Sequence, residues 1–138
     1  LGCIRNESDQ IEIIPNRPAP KDFPVWGSGR PKRELLYVDD LAEACVRLME
    51  ARPPEDVFNA GFGSDLTIAE IAHAIQQMLG TNLELKFDPS QPDGTMKKLL
   101  NSSRIRQIGW RPTVDLSRGL KQTYADYLLR QQTSSLDK

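Results

Sequence analysis

The chain has 138 residues, about one small domain, and its 38% hydrophobic and 27% charged residues are the composition of a globular piece that buries a core. A formal net charge of −1 offers no bulk attraction to nucleic acid or to an anionic membrane surface, and no apolar run approaches membrane-spanning length. Two cysteines are too few for a disulfide framework, so a cytoplasmic setting is expected, and a single histidine, His73, rules out a multi-histidine metal cluster.

Residues 1–24 are expected to form an irregular or extended arm, because Pro15, Pro18, Pro20 and Pro24 lack backbone donors and disfavour helix. Phe23-Pro24-Val25-Trp26 closes that stretch as a short strand ended by Gly27 and Gly29, and Glu34 to Val38 reads as a second extended segment. Asp39 has the short acceptor side chain of an N-cap. Leu41, Ala44, Cys45, Leu48 and Met49 then share one helical face until Pro53-Pro54 stops the helix, which makes Cys45 a small core residue rather than a reactive thiol.

Val57 to Ala60 reads as a strand entering a Gly61-Phe62-Gly63 turn. Thr67 and Glu70 have the spacing of a capping box. The helix they open should bury Ile68, Ile71, Ala72, Ile75 and Leu79, carry His73 at its surface and stop at Gly80. Leu83 to Phe87 alternates apolar and charged residues, as a half-buried strand does. Ser102 or Ser103 can cap a short helix containing Ile105 and Ile108, ended by Gly109; Leu116, Leu120, Tyr124, Tyr127 and Leu128 mark the last helix, followed by a polar tail over 131–138.

Between these elements lies Pro92-Asp93-Gly94-Thr95-Met96-Lys97-Lys98. Asp93-Gly94 supplies a tight turn, and Lys97 and Lys98 lead directly into Leu99-Leu100, which holds their charge near the body of the domain. Such a loop suits a diphosphate, and its plain alternative is a solvated turn with surface lysines. No Gly-x-Gly-x-x-Gly fingerprint occurs; Gly27-Ser28-Gly29 and Gly61-Phe62-Gly63 each lack the third glycine that close helix–strand packing needs.

Trp26-Gly27-Ser28-Gly29-Arg30-Pro31-Lys32-Arg33-Glu34, followed by Tyr37-Val38-Asp39-Asp40, resembles many nucleotide-sugar epimerases and dehydratases, as does Gly109-Trp110-Arg111-Pro112. With Pro92-Asp93-Gly94-Thr95 and the basic residues after it, the stretch from about Val25 to about Leu129 resembles the carboxy-terminal part of the GDP-L-fucose synthases, which are extended short-chain dehydrogenases/reductases. Residues 1–24 do not match that pattern, which implies a helix feeding a strand there, and three later positions also depart from it: Leu35 for an aromatic residue, Met96 for a proline and Asn101 for an aspartate. The Tyr-x-x-x-Lys pair of the family is missing, since Leu41, Leu128 and Gln131 follow Tyr37, Tyr124 and Tyr127 at the fourth position.

The resemblance implies an α/β fold: the substrate-binding portion, over residues 25–130, of such an enzyme, without the doubly wound nucleotide-binding domain. It implies a GDP-sugar as ligand, NADPH as cofactor of the complete enzyme with none expected for this chain alone, and a nucleotide-binding domain supplied upstream or in trans. No catalytic group carries over. Trp26 matches a position that contacts the nucleotide sugar, with plain packing as its rival role. Arg33 matches a substrate-contacting arginine, with an ion pair to Glu34 or Asp39 as the rival. Lys98 would sit near the diphosphate, and Asp93 would order the loop or accept a hydrogen bond from the ligand; for both, the rival is the solvated turn. The competing readings of the whole chain are a non-catalytic remnant or interaction module and a part of another nucleotide-sugar epimerase or dehydratase.

Overall fold

The computed structural model describes residues 2–5, 11–14, 21–54 and 57–134. In the amino-terminal arm, β1 (Gly2–Arg5) pairs antiparallel with β2 (Ile11–Ile14), so the arm is extended over these residues; its residues 1, 6–10 and 15–20 lie outside the described residues, and its last residues enter the next strand. β3 (Asp22–Trp26) pairs in parallel with β6 (Glu84–Asp88). A second small sheet has the order β5-β4-β7, with β4 (Lys32–Arg33) antiparallel to β5 (Leu66–Thr67) and parallel to β7 (Lys97–Lys98). Four helices accompany the strands: α1 (Val38–Ala51), α2 (Ile68–Leu79), α3 (Ser103–Gln107) and α4 (Leu116–Ser134).

Local chemistry explains α2 directly. The Thr67 hydroxyl accepts the Glu70 N–H at 3.1 Å while the Glu70 carboxylate accepts the Thr67 N–H at 2.7 Å, a complete capping box. Gly80 ends the helix in the left-handed conformation at φ 64°, where a Cβ would be strained. The apolar face of α2 lies along β3 and β6, and Val25, Ile68, Ile71, Ala72 and Leu85 line the groove between them. Ile75 and Leu79, expected inside, stay 37% and 40% exposed, because the two-stranded sheet is too narrow to cover the whole face.

The core gathers Ala44 of α1, Ile105 of α3 and Trp110, with Leu36, Leu48, Phe58, Ala60 and Ile108 packed against them. Asp40 ties this core together. Its carboxylate is buried and accepts the Thr113 N–H at 3.1 Å, the Thr113 hydroxyl at 2.8 Å and the Val114 N–H at 3.0 Å. The Gly109-Trp110-Arg111-Pro112 stretch therefore has a packing role: it seats the indole in the core and delivers Thr113 and Val114 to Asp40.

Several sequence expectations change here. The strand expected over Glu34–Val38 lies at Lys32–Arg33, and α1 begins at Val38 with Tyr37 in the N-cap position and no side-chain cap, so Asp39 is not the cap. The inward face of α1 is Asp40, Ala44 and Leu48. Leu41 and Met49 are 44% and 67% exposed and Cys45 is exposed, not a core residue. Residues 57–60 form no strand, since no neighbouring edge among the described residues offers them a ladder. Ser102 takes the N-cap position of α3 without a side-chain bond, and Asn101 Oδ1 instead accepts the Ser103 N–H at 3.1 Å. Tyr124 and Leu128 are 38% and 43% exposed, and α4 continues through Ser134, beyond the point where a tail was expected.

Candidate functional site

The small sheet places cations in pairs. Lys32 stands opposite Lys97 and Arg33 opposite Lys98. Successive residues of a strand point to opposite faces, so the two pairs lie on different sides of the sheet. Asp65, at 10% side-chain exposure, bridges the first pair and offsets one of its two charges, with Oδ1 3.9 Å from Lys32 Nζ and Oδ2 3.6 Å from Lys97 Nζ. The second pair has no carboxylate at ion-pairing distance among the described residues. Glu34, the nearest candidate in sequence, is occupied elsewhere: Oε1 accepts the Gly63 N–H at 2.6 Å and Oε2 the Leu100 N–H at 2.9 Å.

The guanidinium of Arg33 is held from one side. Its Nη1 donates to the Thr95 carbonyl at 2.7 Å and to the Lys32 carbonyl at 2.8 Å, which leaves Nη2 and Nε without a protein acceptor among the described residues. Arg33 also lines a small cleft with Leu35, Phe62, Ser64, Leu66 and Leu116. Lys98 is exposed. The arrangement is a fork and a point charge side by side, a geometry suited to neighbouring phosphate groups.

Asp93 sits at the start of the same loop. Its Oδ1 accepts the Ser28 N–H and its Oδ2 the Ser28 hydroxyl, both at 2.6 Å. The Ser28 hydroxyl and N–H, followed by the charge of Arg30, hold the Asp93 carboxyl below the usual carboxylate range despite partial desolvation. Of the two roles open to Asp93 from sequence, this geometry serves the ordering of the loop. Trp26 ends β3, 75% exposed, so no packing role is realised for it among the described residues. The loop 92–98 thus draws Asp93, Arg33 and Lys98 together, and Trp26 stands one residue before the turn that Asp93 grips.

The two glycine turns do not fit a dinucleotide diphosphate. A Cβ at Gly27 would lie 2.5 Å from Asp93 Oδ1, one at Gly61 2.5 Å from Glu34 Oε1, and one at Gly63 would collide with Arg106 Nη2. The space that a missing Cβ opens is filled by the protein's own side chains. No group of His, Cys, Asp and Glu among the described residues could hold a metal ion. Ser28 and Asp65 were not visible as site residues in the sequence, since each acts on a partner that only the fold brings near.

The NAD dependent epimerase/dehydratase family model matches residues 9–61. The chain is 45% identical over 104 residues to GDP-L-fucose synthase 1 of Arabidopsis thaliana, covering 75% of this chain and 32% of that protein. It is 41% identical over 119 residues to the GDP-L-fucose synthase of Escherichia coli K12, covering 80% of this chain and 37% of that one. Among solved structures, the GDP-mannoheptose C4 reductase of Campylobacter jejuni with NADP bound superimposes with a TM-score of 0.69 at 31% identity, over 78% of this chain and 35% of the reductase. The chain spans about one third of the length of the curated relatives it matches. The resemblance to the GDP-L-fucose synthases is borne out: over three quarters or more of its length the chain is a homologue of these proteins, and its residues 9–61 match the NAD dependent epimerase/dehydratase family model.

Proposed function

We propose that this chain is the carboxy-terminal, substrate-binding portion of a GDP-L-fucose synthase-type epimerase-reductase, and that Arg33 and Lys98 hold the diphosphate of a GDP-sugar. The observation that carries the reading is the unneutralised cation pair. Like charges directly opposite on adjacent strands destabilise a sheet. The chain supplies Asp65 to the equivalent pair on the other face and, among the described residues, no carboxylate to this one, which favours compensation by an anion from outside. Arg33 offers Nη2 and Nε to such an anion, Lys98 adds a charge one strand away, and the exposed ring of Trp26 offers a flat apolar face to a sugar or base.

In the complete enzyme that the homology implies, NADPH supplies hydride to a keto carbon of the sugar. The residues of this chain bind and orient: they hold the nucleotide by its diphosphate, which fixes where the sugar projects. The dinucleotide site and the proton-transferring groups belong, on this reading, to a nucleotide-binding domain beyond these residues. A two-dimensional NMR titration tests the binding role. GDP should shift the amide resonances of β4 and β7, and guanosine at the same concentration, lacking the diphosphate, should leave them in place. Resonances of β4 and β7 that ignore GDP while others move would contradict the assignment.

A further inference from the structure

We infer that Ser28 is a positioning residue: by clasping Asp93 it sets the strand register that places Lys98, and not Lys97, beside Arg33. The inference deepens the diphosphate reading, on which its importance for binding rests. β7 is two residues long, and both its lysines are exposed. A short polar strand has no buried face to choose its register, and a slip of one residue moves every side chain to the opposite side. Such a slip would put Lys97 beside Arg33 and Lys98 on the face of Asp65. The ladder alone cannot prevent this; the Leu100 N–H bond to Glu34 resists a slip from the downstream side, and the approach to β7 needs its own anchor upstream.

The fixed point is the turn after β3. Gly27 and Gly29 take φ of +83° and +75°, conformations that side chains resist, and they present Ser28 between them. The bare Cα of Gly27 lets Asp93 approach, and Gly29 lies against Phe87 of β6, so the turn is backed by the first sheet. Ser28 then gives both its donors to Asp93, while its oxygen accepts the Arg30 N–H at 3.3 Å, which orients the hydroxyl. Two residues beyond Asp93, the Thr95 carbonyl meets Arg33 Nη1, and the next carbonyl, of Met96, accepts the Lys32 N–H at 2.8 Å. From clasp to ladder there are too few residues to absorb a slip without breaking one of these bonds. Asp93, gripped by Ser28 at both oxygens, acts on the strap.

The test compares the chain with its Ser28→Ala and Ser28→Thr variants by amide hydrogen exchange, carboxyl-carbon NMR titration and GDP binding. Ser28→Ala should speed exchange of the Lys32 amide by roughly tenfold or more while α2 amides keep their protection. It should move the Asp93 titration up toward the ordinary 3.8, because the largest cause of its depression is removed. GDP affinity should fall by roughly threefold to tenfold, the scale of one hydrogen bond. Ser28→Thr, which keeps the hydroxyl, should restore all three. Unchanged Lys32 exchange in Ser28→Ala overturns the inference. So does an acceleration spread equally over α2, which would make Ser28 a general stability residue. Should wild type ignore GDP while Lys32 exchange and Asp93 titration respond as stated, the clasp stands and the diphosphate reading falls.

Discussion

Asp40 joins the start of α1 to residues 73 and 74 positions further on, and it does so with a charge taken out of water. Burial, the largest single influence on it, pushes its carboxyl up; the Val114 N–H, the Thr113 hydroxyl and N–H, and Arg118 outweigh that and hold it below the ordinary 3.8. A carboxylate depressed in the folded state contributes stability that is present above its unfolded value and is lost as pH falls through the folded one. Asp40→Asn should therefore cost about 1.5–3 kcal/mol near neutrality, the range for hydrogen bonds to charged groups, and flatten the acid limb of the stability profile. Urea unfolding at several pH values checks both. A variant as stable as wild type at neutral pH would show that the Thr113 and Val114 contacts contribute nothing. Gly27 offers a second check: Ala there meets left-handed backbone strain and the Asp93 oxygen together, and thermal unfolding should report a loss of about 1–3 kcal/mol.

At the scale of elements, what was legible in the sequence is what local chemistry decides. The Thr67–Glu70 box and the Gly80 stop involve residues within one turn of the helix ends, and both form as read. Thr67→Ala should accordingly lower stability by about 1 kcal/mol by denaturant titration, and Gly80→Ala should be penalised by its positive φ. The face of α1 was misread for a physical reason. The broad apolar face expected from Leu41, Ala44, Cys45, Leu48 and Met49 spans two adjacent stripes, and Asp40 reaching Thr113 turns the Ala44 and Leu48 stripe inward and leaves Leu41, Cys45 and Met49 outside. The 57–60 segment has strand composition, but a strand exists only beside a partner. In the candidate site, the motif names Arg33, Asp93 and Lys98 as candidates, whereas Ser28, 65 positions from Asp93, carries no local signal. The short β4, β5 and β7 are held by long-range pairing and leave no trace in alternation.

For the whole molecule, the relation to longer relatives gives the outward apolar residues of α1 and α4 a physical consequence. Val38 and Met49 of α1 are 66% and 67% exposed, and Leu128 of α4 is 43% exposed. Apolar side chains of this size left in water forgo the stabilisation that burial gives. Fusing the nucleotide-binding domain of a GDP-L-fucose synthase ahead of Val25 should raise the unfolding midpoint and slow exchange along α1, whereas the 138-residue chain by itself should oxidise no NADPH in the presence of the keto-sugar. A fusion whose midpoint does not rise would show that these faces meet something else. The central claim, that Arg33 and Lys98 grip a diphosphate, is tested most directly by titration calorimetry of GDP-fucose against the wild-type chain and Arg33→Ala. The account predicts measurable binding that weakens by about 1.5–3 kcal/mol in the variant. Equal affinity for the two proteins would contradict it.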